Sequence, residues 1–404
     1  MARPIRPLRE EGPLGEPAVT SGPLMQLSPV LAAQGTYPFV RIERAKRAAA
    51  DRGVRIIDFG QGDPREPTDP AIRRALVDAL EERMGYPKAE GLPELRAAIA
   101  SWCARRFGVA LDPDAEVIPT YGSKEAIFSF AQVMLDPSSI KDTVVVTEPG
   151  YPVPARGAAF AGARVRSLPL LEQQGFLPDL DSIDDWERIA LFWVNYPNNP
   201  TGATAPLEFF ERLSALAEEH DFLICSDEAY SELWFAEPPP SALQVADRSR
   251  VVVFQTLSKR SSMTGYRSGF VAGPPDLVGA LRAYRPSTGA APQEFVQRAS
   301  IVAWGDEEHV VRTRAAYGQK RDVLLSVLAR KGWRVAASEA TMYLWVEVPG
   351  GEASEACAER LLEHGIVVAP GAYLGDAGEG YIRIALVPTL AECEQAAVIL
   401  EEVL

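Results

Sequence analysis

The sequence predicts an α/β protein, with a large domain built on a mostly parallel central sheet between helices and a smaller α+β domain beside it. Short apolar, β-branched runs (TVVVT, ALFWVN, FLICS and VVVFQ) recur between Phe59 and Ala291, with helical patterns between them. Such runs, separated by helices, indicate parallel strands buried on both faces. Beyond Ala291 the order changes to helices followed by short strands, which is an α+β arrangement.

Taken in chain order, the first 24 residues (MARPIRPLREEGPLGEPAVTSGPL) are rich in Pro and Gly and lack an apolar stretch. They read as a flexible arm rather than a signal peptide. Residues 25–58 are assigned to the N-terminal part of the smaller domain, 59–291 to the large domain and 292–404 to the C-terminal small domain. TYGSKEAIF opens a helix running to about Leu135. Strands are expected at Thr143–Thr147, Ala190–Asn195, Phe222–Ser226 and Val251–Gln255. Between them, Leu207–His220 carries apolar residues three and four apart, the spacing of a helix with one buried face. A long helical tract, Pro292–Arg330, precedes the strand-like YLWVEV, IVVAP and YIRIAL and a terminal helix from Leu390.

Composition removes several classes of function. With 404 residues, 47% of them apolar, the chain can bury a large core, and 24% charged residues is ordinary for a soluble globular protein. A net charge of −14 repels phosphate backbones and anionic lipid, which argues against nucleic-acid and membrane partners. No apolar run approaches the roughly 18 residues of a membrane span. Cys103, Cys225, Cys357 and Cys393 are scattered without a CxxC pair, the usage of a reduced, cytoplasmic protein with no metal site. His220, His309 and His364 have no plausible nucleophile beside them in sequence, which disfavours a hydrolase with a histidine base.

In parallel sheets, ligand-binding groups collect at the carboxyl ends of the strands. There the apolar runs end in polar clusters: EPGYP with Tyr151, NYPNNPTG with Asn199, DEAY with Asp227 and Tyr230, and TLSK with Thr256, Ser258 and Lys259. Arg267 follows eight residues after the lysine, before the next apolar run. Gly122, Ser123 and Lys124 stand at a helix start, where free N–H groups and the helix dipole favour a phosphate.

Each cluster has a plainer reading. A Ser or Lys at a helix start is commonly a cap, and NPTG a turn. FLICSDE resembles the magnesium strand of an ATPase, but the chain has no GxxxxGK[ST] loop. GQGDPR and GDAGEG do not match the dinucleotide GxGxxG pattern, and SSIK lacks the KTG and SDN companions of an SxxK enzyme. Together, however, the clusters specify one ligand. Ser123, Thr256, Ser258 and Arg267 suit a phosphate, Asp227 and Tyr151 an aromatic cation, and Lys259 an aldehyde. That ligand is pyridoxal 5′-phosphate.

The order Tyr86, Gly91, Leu95-Arg96, GSKEAI, EPGYP, NNPTG, SDEAY, TLSK with Arg267, and YIRIAL resembles the class I/II aminotransferases of fold type I, from about Leu27 to the C-terminus. The resemblance implies that Lys259 binds the cofactor covalently and moves the substrate proton. Asp227 would hold the ring nitrogen protonated, and Tyr230 and Asn199 would hydrogen-bond the phenolic oxygen. It also implies that Tyr86 reaches the phosphate of a neighbouring subunit, hence a homodimer with shared sites. Alone, Arg383 in YIRIAL reads as an edge-strand arginine facing solvent; the resemblance makes it the grip for the substrate α-carboxylate. Gly62, in the GDP turn, would allow the substrate's close approach. Lys124 departs from the small or hydroxyl residue of many relatives, and would meet the phosphate or a distal substrate carboxylate.

GEGYIRIALVPTLAEC, YPF and DFGQGDP are similar to segments of bacterial N-succinyldiaminopimelate aminotransferases. The implied reaction exchanges an amino group between N-succinyl-LL-diaminopimelate, a step of lysine biosynthesis, and 2-oxoglutarate. The alternatives are aspartate or another amino-acid donor, and a C–S β-lyase on the same fold. A transcription regulator would need a basic DNA-binding domain ahead of the module, and an arm of 24 residues on an acidic chain does not supply one.

Overall fold

Eight strands precede Ala291 in the computed structural model, which describes residues 28–33 and 39–404. They are β1 (Ile57–Asp58), β2 (Val117–Thr120), β3 (Thr143–Glu148), β4 (Arg164–Pro169), β5 (Ile189–Asn195), β6 (Leu223–Asp227), β7 (Val251–Thr256) and β8 (Gly269–Ala272). The five that follow are β9 (Val335–Ala337), β10 (Tyr343–Glu347), β11 (Ile366–Val367), β12 (Ala369–Pro370) and β13 (Tyr381–Ala385). The arm expected at residues 1–24, and Tyr37 and Pro38 of the YPF segment, lie outside the described residues. The short helix Pro29–Ala33 belongs to a unit ending at Thr36, and both large sheets belong to the unit Tyr37–Leu404.

The large sheet has seven strands in the order β2-β8-β7-β6-β5-β3-β4. β4, β3, β5, β6 and β7 run parallel, and β8 is antiparallel to both β7 and β2. Successive side chains of a strand point to opposite faces, so a strand covered on both sides must be apolar throughout. Val145, Phe192, Ile224 and Val253 enter one core, while Val144, Leu191, Cys225, Val252 and Phe254 enter the other. β2 and β4 are the edge strands. β2 contains Pro119, and β4 (RVRSLP) is largely exposed, so neither shows the continuous apolar run that marks the inner strands.

The helix Leu207–His220 stands where its spacing predicts and buries Phe209, Phe210, Leu213 and Ala217. The tract expected over Pro292–Arg330 is two helices, Glu294–Gly305 and Glu308–Arg330. Asp306 makes the break: its carboxylate accepts the N–H groups of Glu308 and His309 at 3.1 and 3.2 Å, capping the second helix. Glu294–Gly305, on the C-terminal side of the boundary read from the sequence, packs Ala299, Ala303 and Trp304 into a core of the large sheet.

The second sheet is antiparallel, in the order β12-β13-β10-β9. Its core joins Leu344, Val346 and Ile384 to Leu324 and Leu328 of the long helix and to Ala396 and Leu400 of the C-terminal helix. β1 pairs in parallel with β11, and Ala385 donates its N–H to the carbonyl of Phe59. The turn Gly60–Asp63 is thereby delivered beside β13. Among the described residues, no helix is long and apolar enough to cross a membrane.

Candidate active site

The carboxyl ends of β3, β5, β6 and β7, together with the turn Gly60–Asp63 and β13, enclose a cleft of about 710 Å³. Lys259, Asp227, Tyr230, Asn199, Tyr151, Ser123, Lys124, Thr256, Ser258, Arg267, Gly62 and Arg383 all line it. Residues far apart in sequence thus converge on one space. Tyr86 is not among the lining residues and stands fully exposed.

At one end lies the start of the helix Ser123–Met134, which no side chain caps, so its first N–H groups are open to an anion. Gly122 precedes it at φ +73°, and a Cβ there would overlap the Arg267 guanidinium. Only glycine lets the arginine lie against the helix start. Arg267 donates to the carbonyl of Thr264 at 2.9 Å. Thr256 ends β7 and accepts the Ser258 N–H at 3.1 Å, which turns the chain into the four-residue helix Leu257–Arg260. Among the described residues, no carboxylate stands within ion-pair distance of Lys124, Lys259 or Arg267. Burial and the Arg267 charge push Lys124 below the usual lysine range. Cations gathered this way in a chain of net charge −14 suit an anionic ligand.

Midway along the cleft, Asp227 closes β6. Its carboxylate accepts the Ala229 N–H at 3.2 Å, and among the described residues no cation lies within ion-pair distance. Burial pushes it up to about 7. Asn195, which the sequence reading passed over, donates to the Asp227 carbonyl at 2.8 Å and accepts the Asn199 N–H at 2.9 Å. It fixes the turn that carries Asn199 to the end of β6. Its signal was available: like Asp227, it is a polar residue closing an apolar run.

Lys259 donates to the carbonyl of Gly62, and burial pushes its amine below the usual lysine range. Arg383 is not on an edge: β13 pairs with β12 on one side and β10 on the other. Its guanidinium is buried, donating to Asn199 Oδ1 at 2.9 Å and to the Gly60 carbonyl at 2.8 Å. It lies 4.4 Å over the ring of Tyr343, another residue the sequence reading did not single out. An aromatic in an apolar strand such as YLWVEV reads as core, so no signal distinguished it. Glu43 and Asp63 also line the cleft.

His309 does meet a nucleophile in space. Its Nε2 is 2.8 Å from Ser261 Oγ and its Nδ1 is 2.6 Å from Asp306 Oδ2. Burial pushes the imidazole below its ordinary range, against the opposing pull of Asp306. His309 and Ser261 are sealed in the interior, so the grouping braces the turn after Lys259 and has no access to a substrate.

Residues 54–400 match the family described as "Aminotransferase class I and II". The chain belongs to the class I/II aminotransferases. It is 41% identical over 380 residues to an LL-diaminopimelate aminotransferase of Nitratidesulfovibrio vulgaris strain DP4, covering 92% of this chain and 97% of that one. A solved structure titled probable N-succinyldiaminopimelate aminotransferase, from Thermus thermophilus, superposes with a TM-score of 0.84 at 32% identity, covering 91% of this chain and 100% of that one. The aspartate aminotransferase of Thermus thermophilus with maleate gives 0.86 at 30% identity, with coverages of 94% and 100%. The fold is therefore that of the fold type I transferases, and the family's cofactor is pyridoxal phosphate.

The side chains of this aminotransferase fit that cofactor. An uncapped helix start beside an arginine without a carboxylate partner suits its phosphate, a buried carboxylate without a cation suits its ring nitrogen, and an amine of lowered pKa suits its aldehyde. The raised value of Asp227 also bears on stability. Without a ring cation the native state keeps a proton that the unfolded chain releases, so stability is full below pH 3.8 and declines as pH rises to about 7. The loss is on the order of 4 kcal/mol at most. Glu228, likewise pushed up to about 7 by burial, adds a slope of the same sign, so a variant is needed to isolate Asp227. Melting curves of the apo-protein from pH 4 to 8 should fall less steeply in Asp227→Asn than in the parent. Equal slopes would remove Asp227 as the origin.

Proposed function

We propose that this aminotransferase moves the amino group of a diaminopimelate-type donor to 2-oxoglutarate, with free LL-diaminopimelate ahead of the N-succinyl derivative. The observation that carries the reading is that both signs line the cleft: Lys124 stands beside Arg267, Asp63 closes the turn Gly60–Asp63, and Glu43, paired with Lys46, stands against Gln61 of the same turn. The far end of LL-diaminopimelate bears both an ammonium and a carboxylate and can satisfy both signs. The N-succinyl form replaces that ammonium with an amide and adds a second carboxylate, so its far end is anionic throughout and offers no cation to Asp63. The name of the Nitratidesulfovibrio relative supports the free amino acid, and that of the Thermus structure keeps the succinyl form as second reading, through Lys124.

The cofactor, when bound, supplies an electron sink that lets the Cα–H bond of the donor break. Ser123, Thr256, Ser258 and Arg267 hold its phosphate, Tyr151 offers a flat face, and Asp227 holds its ring nitrogen protonated. Tyr230 and Asn199 donate towards its phenolic oxygen. Arg383, pinned by Asn199 and Gly60, offers its guanidinium to the α-carboxylate. Lys259 accepts the Cα proton at Nζ and returns it, a role for which burial has already lowered its affinity for protons. The enzyme works as a homodimer in the cytoplasm. The exposed Val77, Leu80, Met84 and Tyr86 face a second copy, and Tyr86 reaches the partner's phosphate.

A donor screen with 2-oxoglutarate tests the assignment. LL-diaminopimelate should exceed aspartate, alanine and aromatic donors in kcat/KM by roughly ten- to a hundredfold, the value of one charge-assisted contact of about 1.5–3 kcal/mol. Arg383→Lys should weaken every donor together, since lysine cannot reproduce a paired grip. Aspartate matching LL-diaminopimelate would sink the diaminopimelate reading, and pyruvate with ammonia released from a thioether amino acid would favour a lyase.

A further inference from the structure

Tyr343 stands where the cofactor side and the substrate side of the cleft meet. Its hydroxyl is 2.9 Å from that of Tyr230, and the two rings meet edge to face at 5.5 Å. On its other side the Arg383 guanidinium lies 4.4 Å above the ring. A Cβ on Gly62 would overlap the Tyr343 hydroxyl. The glycine of the GDP turn therefore makes room for this phenol, where the sequence reading had it make room for substrate. The turn that the phenol fits against presents the carbonyl to which Lys259 donates.

We propose that Tyr343 is a positioning residue of the reaction, its hydroxyl holding Tyr230 as a donor into the cleft and its ring holding Arg383 ready for the substrate carboxylate. Counting protons gives the reason. Two phenols carry two protons, and one of these spans the pair. When Tyr343 supplies the shared proton, that of Tyr230 is left to point into the cleft, where the phenolic oxygen of the cofactor is to be met. Burial keeps the Tyr230 phenol protonated, well above its ordinary range, so the proton is there to donate. Remove the Tyr343 hydroxyl, and Tyr230 loses the partner that orients it and polarises its O–H. The ring acts separately, as a flat surface under a cation that has left water.

The test uses the holoenzyme with Tyr343→Phe, which keeps the ring and removes the hydroxyl, and Tyr343→Leu, which removes both. The first readout is the midpoint of the pH titration of the bound cofactor's visible absorbance, taken without substrate and therefore indifferent to which donor is physiological. In Tyr343→Phe it should rise by about 0.5–1 pH unit, because an anionic oxygen that loses a donor holds the neighbouring proton more tightly. In the same variant kcat should fall about tenfold while donor KM stays within about twofold. Tyr343→Leu should in addition raise KM for every donor by roughly three- to thirtyfold, through Arg383. Tyr230→Phe is the control and should shift the midpoint in the same direction. If Tyr230→Phe moves the midpoint and Tyr343→Phe does not, the proposal fails. It fails as well if Tyr230→Phe leaves the midpoint in place, since the effect of Tyr343 runs through Tyr230.

Discussion

Lys259→Ala should lower turnover by about three orders of magnitude or more while leaving a folded protein that still takes up pyridoxal phosphate. The reasoning separates binding from chemistry. On the proposed roles, phosphate binding depends on the helix start at Ser123 and on Arg267, Thr256 and Ser258, all of them in the cleft and none of them altered by the substitution. The proton transfer depends on one amine, and no other in the cleft stands in its place: Lys124 is on a different helix, 5.8 Å from the ring of Tyr151. Borohydride treatment of the parent followed by peptide mapping should place the cofactor on Lys259. An adduct on Lys124, or turnover in Lys259→Ala within tenfold of the parent, would refute the assignment.

Asp227→Asn should cut turnover by roughly a hundred- to a thousandfold with the fold intact. The substitution is nearly isosteric, and the backbone N–H of Ala229 can still donate to an amide oxygen. What disappears is the negative charge that the proposed role sets against the ring nitrogen, in an interior where removing one partner of a buried ion pair costs about 3–5 kcal/mol. Charged throughout the reaction, that pairing supports the electron sink, so its loss appears in the rate. Cofactor affinity and turnover measured on one preparation decide the matter. Near-normal rates with cofactor bound would show that the ring has another partner.

Much of this site was legible because its chemistry is written at strand ends. Asp227, Thr256 and Asn199 each follow an apolar run long enough to identify as an inner strand, and inner strands of a parallel sheet present their ends to one place. Strands without that pattern were invisible. β4 is charged and exposed, and β2, although buried, carries a proline that an edge tolerates because it has no second ladder to donate to. The split of the long helical tract was written in Asp306, a capping residue inside an otherwise continuous pattern, but periodicity outweighs a single cap when sequence is read alone. Tyr343 was hidden for a different reason. Its proposed role comes from what lies across from it, Tyr230 far earlier in the chain and Arg383 on the neighbouring strand, and no local spacing encodes that.

The anchoring of Arg383 has a mechanical corollary. The arginine belongs to the smaller antiparallel sheet, while Asn199, which it grips, belongs to the turn after β5 of the larger one. Nearby, Thr68 reaches the carbonyl of Ser262, just beyond the lysine turn, and Lys320 of the long helix reaches Glu66. These bonds stitch a polar seam between two separately packed cores, and the cleft opens along that seam. A carboxylate held by Arg383 while its amino group meets chemistry at Lys259 fastens one side of the seam to the other. On the proposed roles, a bound substrate would be a structural member as well as a reactant, adding one more tie across the seam that Arg383 and Asn199 already span.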